Sequence, residues 1–139
     1  EMCIRDSFCV WGKFKDSKTQ KEFYLFETHM PLADNARKHA CQMLVDAVSD
    51  KAKDNTPAFC TGDFNATPDA PEIATTICQS GILKDAYREA TIQHGALFTF
   101  PSKKTRIDFI FVKHATVLST RTIVSSLSDH YPMVIVVEI

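Results

Sequence analysis

The string Gly-Asp-Phe-Asn at residues 62–65 has the residue types best suited to chemistry in this chain. It follows an apolar run, 58–60, with the composition of a buried strand, and its glycine permits a sharp turn. In an extended segment Asp63 and Asn65 project from the same face. A carboxylate beside an amide can hold a divalent cation, or a water molecule against a phosphate. An Asx-type turn leading into a helix cap at Asp69 explains the same residues equally well.

A second polar string, Ser-Asp-His at residues 128–130, comes just before the apolar run 133–137. Ligand-binding groups are often located where a strand of a covered sheet meets its loop. Asp129 could therefore bind a metal ion, and His130 could contact a phosphate oxygen. Considered alone, however, the string is better explained as an ordinary loop in which Asp129 bonds to nearby backbone.

Asp108 lies inside the predicted strand 106–112, whose two faces both carry apolar side chains. An unpaired carboxylate buried there would cost on the order of several kcal/mol, so it requires a partner. We predict that the partner is His130, because a carboxylate orients an imidazole and stabilises its protonated form. Pairing with Arg106, or with backbone at a sheet edge, is the alternative. His29, at a strand end, is by itself more typical of a structural histidine.

The composition is that of one folded domain that is not basic. The chain has 139 residues, of which 45% are hydrophobic and 24% are charged, and its net charge is -1. The absence of a basic excess argues against tight binding of duplex nucleic acid, although a local groove can be basic in a neutral protein. The five cysteines form no CxxC pair, which argues against a zinc cluster. Buried free thiols explain them best, and disulfides are the alternative. No stretch is long and apolar enough to cross a membrane.

Strands and helices are mixed along the chain, which favours layered α/β packing over a helical bundle. Apolar alternation predicts an antiparallel hairpin near the start. The run 133–137 is apolar on both faces, which predicts a strand inside a sheet with both sides covered. The predicted strands are 8–14, 23–26 with an extension to 29, 58–60, 106–112 and 132–138; the predicted helices are 34–53 capped by Asp34, 69–80 capped by Asp69, and a turn at 86–89, with a loop at 94–104 interrupted by 97–100.

Residues 1–7, Glu-Met-Cys-Ile-Arg-Asp-Ser, lack the apolar core of a signal peptide. They resemble the translation of a transposon-end adapter from sequencing libraries, which reads ATG TGT ATA AGA GAC AG from Met2 onward. We therefore interpret residues 1–7 as non-native; an ordinary frayed terminus is the alternative. On this interpretation the protein begins further upstream, and its localisation cannot be predicted because a targeting signal would be missing.

Taken together, the polar strings resemble the endonuclease/exonuclease/phosphatase family, which includes pancreatic deoxyribonuclease and the inositol-phosphate 5-phosphatases. Thr-His at 28–29, the string at 62–65, Arg-Ile-Asp-Phe-Ile-Phe at 106–111 and the string at 128–130 appear in the family's order. Leu83 with Asp-Ala-Tyr at 85–87, and Thr-Phe at 99–100, also resemble the family's bacterial members. The resemblance implies a four-layered α/β sandwich of the deoxyribonuclease-like type, with two sheets face to face and helices outside. Residues 8–139 would form the carboxy-terminal half of that domain.

The resemblance also implies a divalent-metal-dependent hydrolase of phosphoester bonds that works by in-line attack of water. Asp63 would orient and deprotonate the water, and Asn65 would hold the phosphoryl oxygens. His130, supported by Asp108, would stabilise the charge that develops on the phosphate. His29 would donate a further hydrogen bond to the same group.

The metal implied by the resemblance is Mg²⁺, with Mn²⁺ as an alternative, bound by Asp129, Asp63 and Asn65. The family's metal-binding Glu and an early strand with a phosphate-contacting Asn have no counterpart in this chain. The isolated chain is therefore expected to be nearly inactive, and also poorly folded because its sheets lack neighbouring strands. A catalytically incomplete fragment or a binding or scaffold module is the alternative function. The substrate identity is not predicted: a nucleic acid, a small phosphorylated molecule such as a sugar phosphate, and a lipid headgroup all fit. The oligomeric state is not predicted either. Residues 27 and 30–32 depart from the pattern of close relatives, so substrate contacts near His29 are not carried over.

Overall fold

The strands form two sheets, and the helices pack on and between them. The computed structural model describes residues 7–139, so the interpretation of residues 1–7 as non-native lies outside the described residues except for Ser7. The predicted α/β class with two sheets is confirmed. The strands are β1 Phe8–Lys15, β2 Glu22–His29, β3 Ala58–Asp63, β4 Lys84–Asp85, β5 Ile92–Gly95, β6 Asp108–Lys113, β7 Thr116–Thr122 and β8 Met133–Glu138; the helices are α1 Asp34–Lys51, α2 Glu72–Ile77 and α3 Ala86–Glu89.

The five-stranded sheet has the strand order β1-β2-β3-β6-β4. Three chemically important residues lie at the same end of its interior strands. The predicted hairpin of β1 and β2 is antiparallel, with Phe8 opposite His29. Strand β3 is parallel to β2, and this register places Asp63 beside His29. Strand β6 runs antiparallel to β3, with Asp108 opposite Asp63. Three neighbouring strands therefore present His29, Asp63 and Asp108 side by side.

Helices α1 and α2 cover one face of this sheet and are joined by a buried ion pair. The Nε of Arg37 in α1 donates to Glu72 Oε1 in α2 at 2.5 Å, and both side chains are buried. Because each charge is matched by the other, the pair avoids the penalty of an uncompensated buried charge. The core beneath the helices consists mainly of fully buried apolar side chains, namely Phe26, Val48, Cys60, Phe64, Ile73, Ile77, Phe109 and Phe111.

The predicted caps of both long helices are wrong. Ala33 occupies the N-cap of α1 and contributes no side-chain hydrogen bond. Asp34 lies in the first turn, where its carboxylate bonds to a guanidinium of the same helix at 2.7 Å. Asp69 accepts a hydrogen bond from the Thr67 hydroxyl at 2.6 Å instead of capping α2, which is preceded by Pro71. In both cases a nearby side-chain donor bonds to the aspartate in place of the helix N–H groups.

The three-stranded sheet, in the order β5-β7-β8, differs most from the prediction. Strand β8 was predicted to lie inside a sheet with both sides covered, but it is an edge strand. Its side chains alternate between half-buried and exposed, and Val134 and Val136 are about half exposed, at 47% and 52%. Strand β7 was not predicted, and β5 falls partly in the predicted loop. A β-bulge between Val117 and Ser119 interrupts the alternation in β7, which also explains why its pattern is weak.

A second apolar cluster, centred on Ala86, Val112 and Val117, fills the space between the two sheets. A buried ion pair lies next to it: Arg106 donates from both terminal nitrogens to Asp85, at 2.7 and 3.1 Å. This two-point contact fixes the start of α3 relative to the segment that leads into β6.

Cysteine burial agrees with the prediction of buried free thiols for Cys41 and Cys60, whereas Cys9 is exposed. Burial raises the pKa of the Cys41 thiol to about 12, so this thiol is not reactive. Among the described residues, no helix combines the length and hydropathy needed to span a membrane.

Candidate active site

Asp63, the last residue of β3, lies between two imidazoles at one end of the five-stranded sheet. Its Oδ2 is 3.7 Å from His29 Nε2 and 3.9 Å from His130 Nε2. The strand register accounts for the first approach, because residues 29 and 63 are neighbours across β2 and β3. His130 arrives from the loop before β8, in the other sheet. Residues distant in sequence therefore meet at a single carboxylate.

Asp108 and His130 form a direct hydrogen-bonded pair, as the burial argument predicted. His130 Nδ1 and Asp108 Oδ2 are 2.7 Å apart, and both side chains are about one-quarter exposed. The alternative partner, Arg106, is bound to Asp85 instead. With Nδ1 held by a carboxylate, the Nε2 atom of His130 is directed toward the cluster and can donate a hydrogen bond there when the ring is protonated.

The electrostatics favour a protonated His130. Burial lowers the pKa of its imidazole, but the hydrogen bond and negative charge of Asp108, with smaller contributions from Asp63 and Asp129, more than offset this, so the pKa is raised above its ordinary value. The pKa of Asp63 is also raised. Burial is the largest cause and Asp108 adds to it, whereas the N–H of Asn65 and the two imidazoles act in the opposite direction.

Gly62 is required for the approach of β3 to β2 at this point. Its φ angle is +145°, a conformation that L residues with side chains rarely adopt. A Cβ atom on this residue would lie 1.8 Å from the carbonyl oxygen of Thr28. Just beyond this contact, the Met30 N–H donates to the Asp63 carbonyl at 2.9 Å. This hydrogen bond holds the ends of β2 and β3 together.

Asn65 does not continue the strand, which corrects the prediction of an extended segment from 63 to 65. Its φ angle is +48°, and its N–H donates to Asp63 Oδ1 at 2.8 Å in an Asx-type turn. The alternative interpretation was an Asx-type turn that leads into a helix cap at Asp69. It is right about the turn at residues 63–65 and wrong about the cap. The Asn65 Nδ2 donates to the Met30 carbonyl at 2.9 Å, which fixes the amide beside the cluster and leaves its Oδ1 as an oxygen ligand.

The group of side chains that could hold a metal ion differs from the predicted ligand set. Among the described residues, ligand atoms of Asp63, Asp108 and His130 lie within 4.8 Å of one another. Asp129 is not in this group; its side chain is exposed and accepts a weak hydrogen bond from the Ser128 hydroxyl at 3.4 Å. The structure therefore brings five of the six predicted site residues together, and leaves Asp129 at the periphery.

The cluster opens into a cleft of about 630 Å³ that is lined on one side by β3 and β6 and on the other by the loop before β8. Phe100 packs its ring against the His130 imidazole, with 4.8 Å between centroids. Sequence analysis assigned no role to Phe100. The signal that could have identified it is the apolar interruption, residues 97–100, of an otherwise polar loop.

A model of the endonuclease/exonuclease/phosphatase family matches residues 5–130, which include every residue of this cluster. The chain belongs to that family. The family consists of metal-dependent hydrolases that act on phosphoesters. The prediction of the family from the four polar strings is thus confirmed. Comparison with the curated proteins finds no match.

Solved structures show the same fold. An endonuclease/exonuclease/phosphatase from Bacteroides vulgatus is 31% identical, with a TM-score of 0.87 over 95% of this chain and 55% of that one. A mannosyl-6-phosphatase from Bacteroides thetaiotaomicron is 25% identical, with a TM-score of 0.86 over 96% of this chain and 57% of that one. A beta toxin from Staphylococcus aureus, solved with bound magnesium ions, is 14% identical, with a TM-score of 0.68 over 91% of this chain and 56% of that one. The chain spans little more than half the length of these structures.

Proposed function

We propose that the protein to which this chain belongs is a divalent-metal-dependent phosphoester hydrolase, and that residues 8–139 form the carboxy-terminal half of its catalytic domain. The observation that carries this proposal is the convergence of Asp63 with His29 and with the pair formed by Asp108 and His130. Two carboxylates and an imidazole that line one open cleft, with a second imidazole beside them, can activate water and stabilise phosphoryl charge. These are the two tasks of in-line hydrolysis.

In this mechanism Asp63 orients the attacking water and accepts its proton. A carboxylate is normally a weak base at neutral pH, and partial burial brings its pKa closer to the working pH. The N–H of Asn65 fixes Oδ1 of the same carboxylate, so Oδ2, which faces both imidazoles, is the oxygen left for the water.

His130 donates from Nε2 to the phosphoryl oxygens, where negative charge develops in the transition state. Asp108 holds the ring by its Nδ1 atom and favours the protonated form, so the donor is already oriented before the substrate binds. His29 adds a second donor from the neighbouring strand, and the amide of Asn65 contacts the same phosphoryl group.

The donor set fits Mg²⁺ or Mn²⁺, because the side chains facing the cleft are mainly oxygen ligands and no thiolate is among them. Asp63 and Asn65 would hold the ion, with Asp129 as a further carboxylate at the periphery. When bound, a divalent cation supplies positive charge that neutralises the phosphate oxygens and lowers the pKa of coordinated water.

A small phosphorylated molecule is the substrate class that we favour over duplex nucleic acid. The net charge of -1 provides no excess of basic side chains to neutralise a polyanion. The mannosyl-6-phosphatase neighbour, at 25% identity, offers a precedent for a sugar phosphate. A non-catalytic binding module is the competing function. Loss of turnover without loss of fold in Asp63→Ala would favour the hydrolase over the binding module.

The test joins residues 8–139 to the part of the Bacteroides vulgatus protein that this chain does not cover. Hydrolysis of p-nitrophenyl phosphate and of bis(p-nitrophenyl) phosphate is measured with Mg²⁺, with Mn²⁺ and with EDTA. We expect metal-dependent turnover by the chimera and very little by the chain alone. Asp63→Ala should lower kcat by about 100- to 1,000-fold, whereas Asp50→Ala, on the exposed side of α1, should not. An unchanged rate in Asp63→Ala, with an unchanged circular dichroism spectrum, would refute the assignment.

A further inference from the structure

Asp108 and His130 are hydrogen-bonded although they belong to different sheets. Asp108 begins β6 of the five-stranded sheet, whereas His130 lies in the loop that leads into β8 of the three-stranded sheet. In the part of the chain that the structure describes, two hydrogen bonds join residues 124–131 to the rest of the protein. One is the Asp108–His130 pair itself, and the other runs from the Tyr131 N–H to the Thr99 carbonyl at 2.7 Å. The position of this loop therefore depends on Thr99.

Thr99 is fully buried and also contacts the other member of the pair. Its Oγ1 accepts a hydrogen bond from the Ile107 N–H and one from the Asp108 N–H, both at 3.1 Å. A hydroxyl oxygen has two lone pairs, and here both are used by consecutive backbone groups at the start of β6. One residue thus holds the backbone of Asp108 through its side chain and the backbone next to His130 through its carbonyl.

We propose that Thr99 is a positioning residue that holds Asp108 and His130 at hydrogen-bonding distance across the two sheets. The adjacent Phe100 ring, with its centroid 4.8 Å from that of the imidazole, restricts rotation of the imidazole. Thr99 does not face the cleft and acts only through the two residues that it anchors. The inference rests on the proposed function in one respect: that function is what gives the pair of Asp108 and His130 its contact with the phosphoryl group.

The structure offers matched variants for a test by NMR on the chimera with the Bacteroides vulgatus protein. Thr99→Val replaces the hydroxyl with a methyl group of similar size, and Thr99→Ser retains the hydroxyl. Thr120→Val is the control, because Thr120 is equally buried, at 1% exposure, and its Oγ1 has no hydrogen-bond partner among the described residues. The readout is the His130 Nδ1 proton at mildly acidic pH, whose exchange with water is slowed by its carboxylate partner.

We expect the Nδ1 proton of His130 to exchange at least about tenfold faster in Thr99→Val, the scale of effect that follows loss of one buried acceptor. Thr99→Ser and Thr120→Val should keep the wild-type exchange rate. If Thr99→Val folds and retains that rate, Thr99 is merely structural and the inference is overturned. If Thr99→Val does not fold, Thr99→Ser decides: loss of the protected proton in this folded variant also overturns it.

The test is independent of hydrolysis. A chimera that hydrolyses neither p-nitrophenyl ester, but shows the expected exchange rates, would refute the proposed function and support the role of Thr99. Metal-dependent hydrolysis combined with an unchanged exchange rate in Thr99→Val would support the proposed function and overturn the role of Thr99.

Discussion

The contact between Gly62 and Thr28 makes a strong prediction about stability. In Gly62→Ala, the new Cβ would lie 1.8 Å from the Thr28 carbonyl oxygen, and separations below 3.0 Å essentially never occur. The strands β2 and β3 must therefore separate locally by roughly 1.2 Å, the difference between these distances. Such a shift would break the 2.9 Å hydrogen bond between the Met30 N–H and the Asp63 carbonyl.

The cost can be estimated from two contributions. The φ angle of +145° is strained for alanine, at about 1–3 kcal/mol. Each hydrogen bond lost at the strand ends costs about 1–3 kcal/mol when a buried group is left unpaired. Gly62→Ala should thus lower the free energy of unfolding by about 2–6 kcal/mol, a large share of the 5–15 kcal/mol typical of domains.

Gly81→Ala is the matched control. Gly81 also has a positive φ angle, +75°, but a Cβ added to this residue would have no atom within 4 Å, so only the backbone strain of about 1–2 kcal/mol applies. Urea unfolding, followed by far-UV circular dichroism and by the fluorescence of Trp11, the single tryptophan, measures both variants. Equal destabilisation by the two substitutions would refute the steric argument.

Three further predictions concern charge and exposed apolar surface. Asp85→Ala leaves Arg106 buried without its partner and should cost about 3–5 kcal/mol in urea unfolding; a change below about 1 kcal/mol would contradict this. Because the folded-state pKa of His130 is raised above 6.5, its protonation stabilises the fold at pH below about 6.5, and this contribution is lost as the pH rises through the folded-state pKa. The free energies of unfolding of the wild-type chain and Asp108→Asn should accordingly converge at high pH, and a constant difference would argue against the linkage. The exposed edge strand β8 should make the chain self-associate in size-exclusion chromatography with light scattering, and Val136→Lys should reduce this association; a monomer at all concentrations would contradict it.

Much of the fold follows from local patterns, and the errors have physical causes. The β1–β2 hairpin was identified from the alternation in residues 8–14, the polar turn-like segment after them and the apolar run 23–26. Strand β7 escaped prediction because it is rich in threonine and its alternation is broken by the bulge near Ser119. The apolar run of β8 predicted burial on both faces, but covering those faces depends on neighbours, which a local pattern does not specify. The caps failed because Asp34 and Asp69 have competing side-chain partners.

The site was predictable where burial leaves one chemical solution. A carboxylate at Asp108 between apolar neighbours requires a partner, and His130 is that partner. The turn at Asn65 was less predictable, because a positive φ angle and an Asx-type turn depend on the packing of the strand ends. The role inferred for Thr99 could not be found in the sequence, because its hydroxyl bonds to backbone groups eight and nine residues away and its carbonyl to residue 131.

The central claim is that Asp63 and Asn65, beside the pair formed by Asp108 and His130, hold the cation that the reaction requires. The most direct measurement is a titration of the isotopically labelled chimera with Mn²⁺, in which a bound paramagnetic ion broadens the NMR signals of nearby nuclei. We predict selective broadening around residues 63–65, 108 and 130, reversal by excess Mg²⁺, and loss of the effect in Asp63→Asn but not in Asp50→Asn. Broadening that is uniform, is centred elsewhere, or persists in Asp63→Asn would contradict the account.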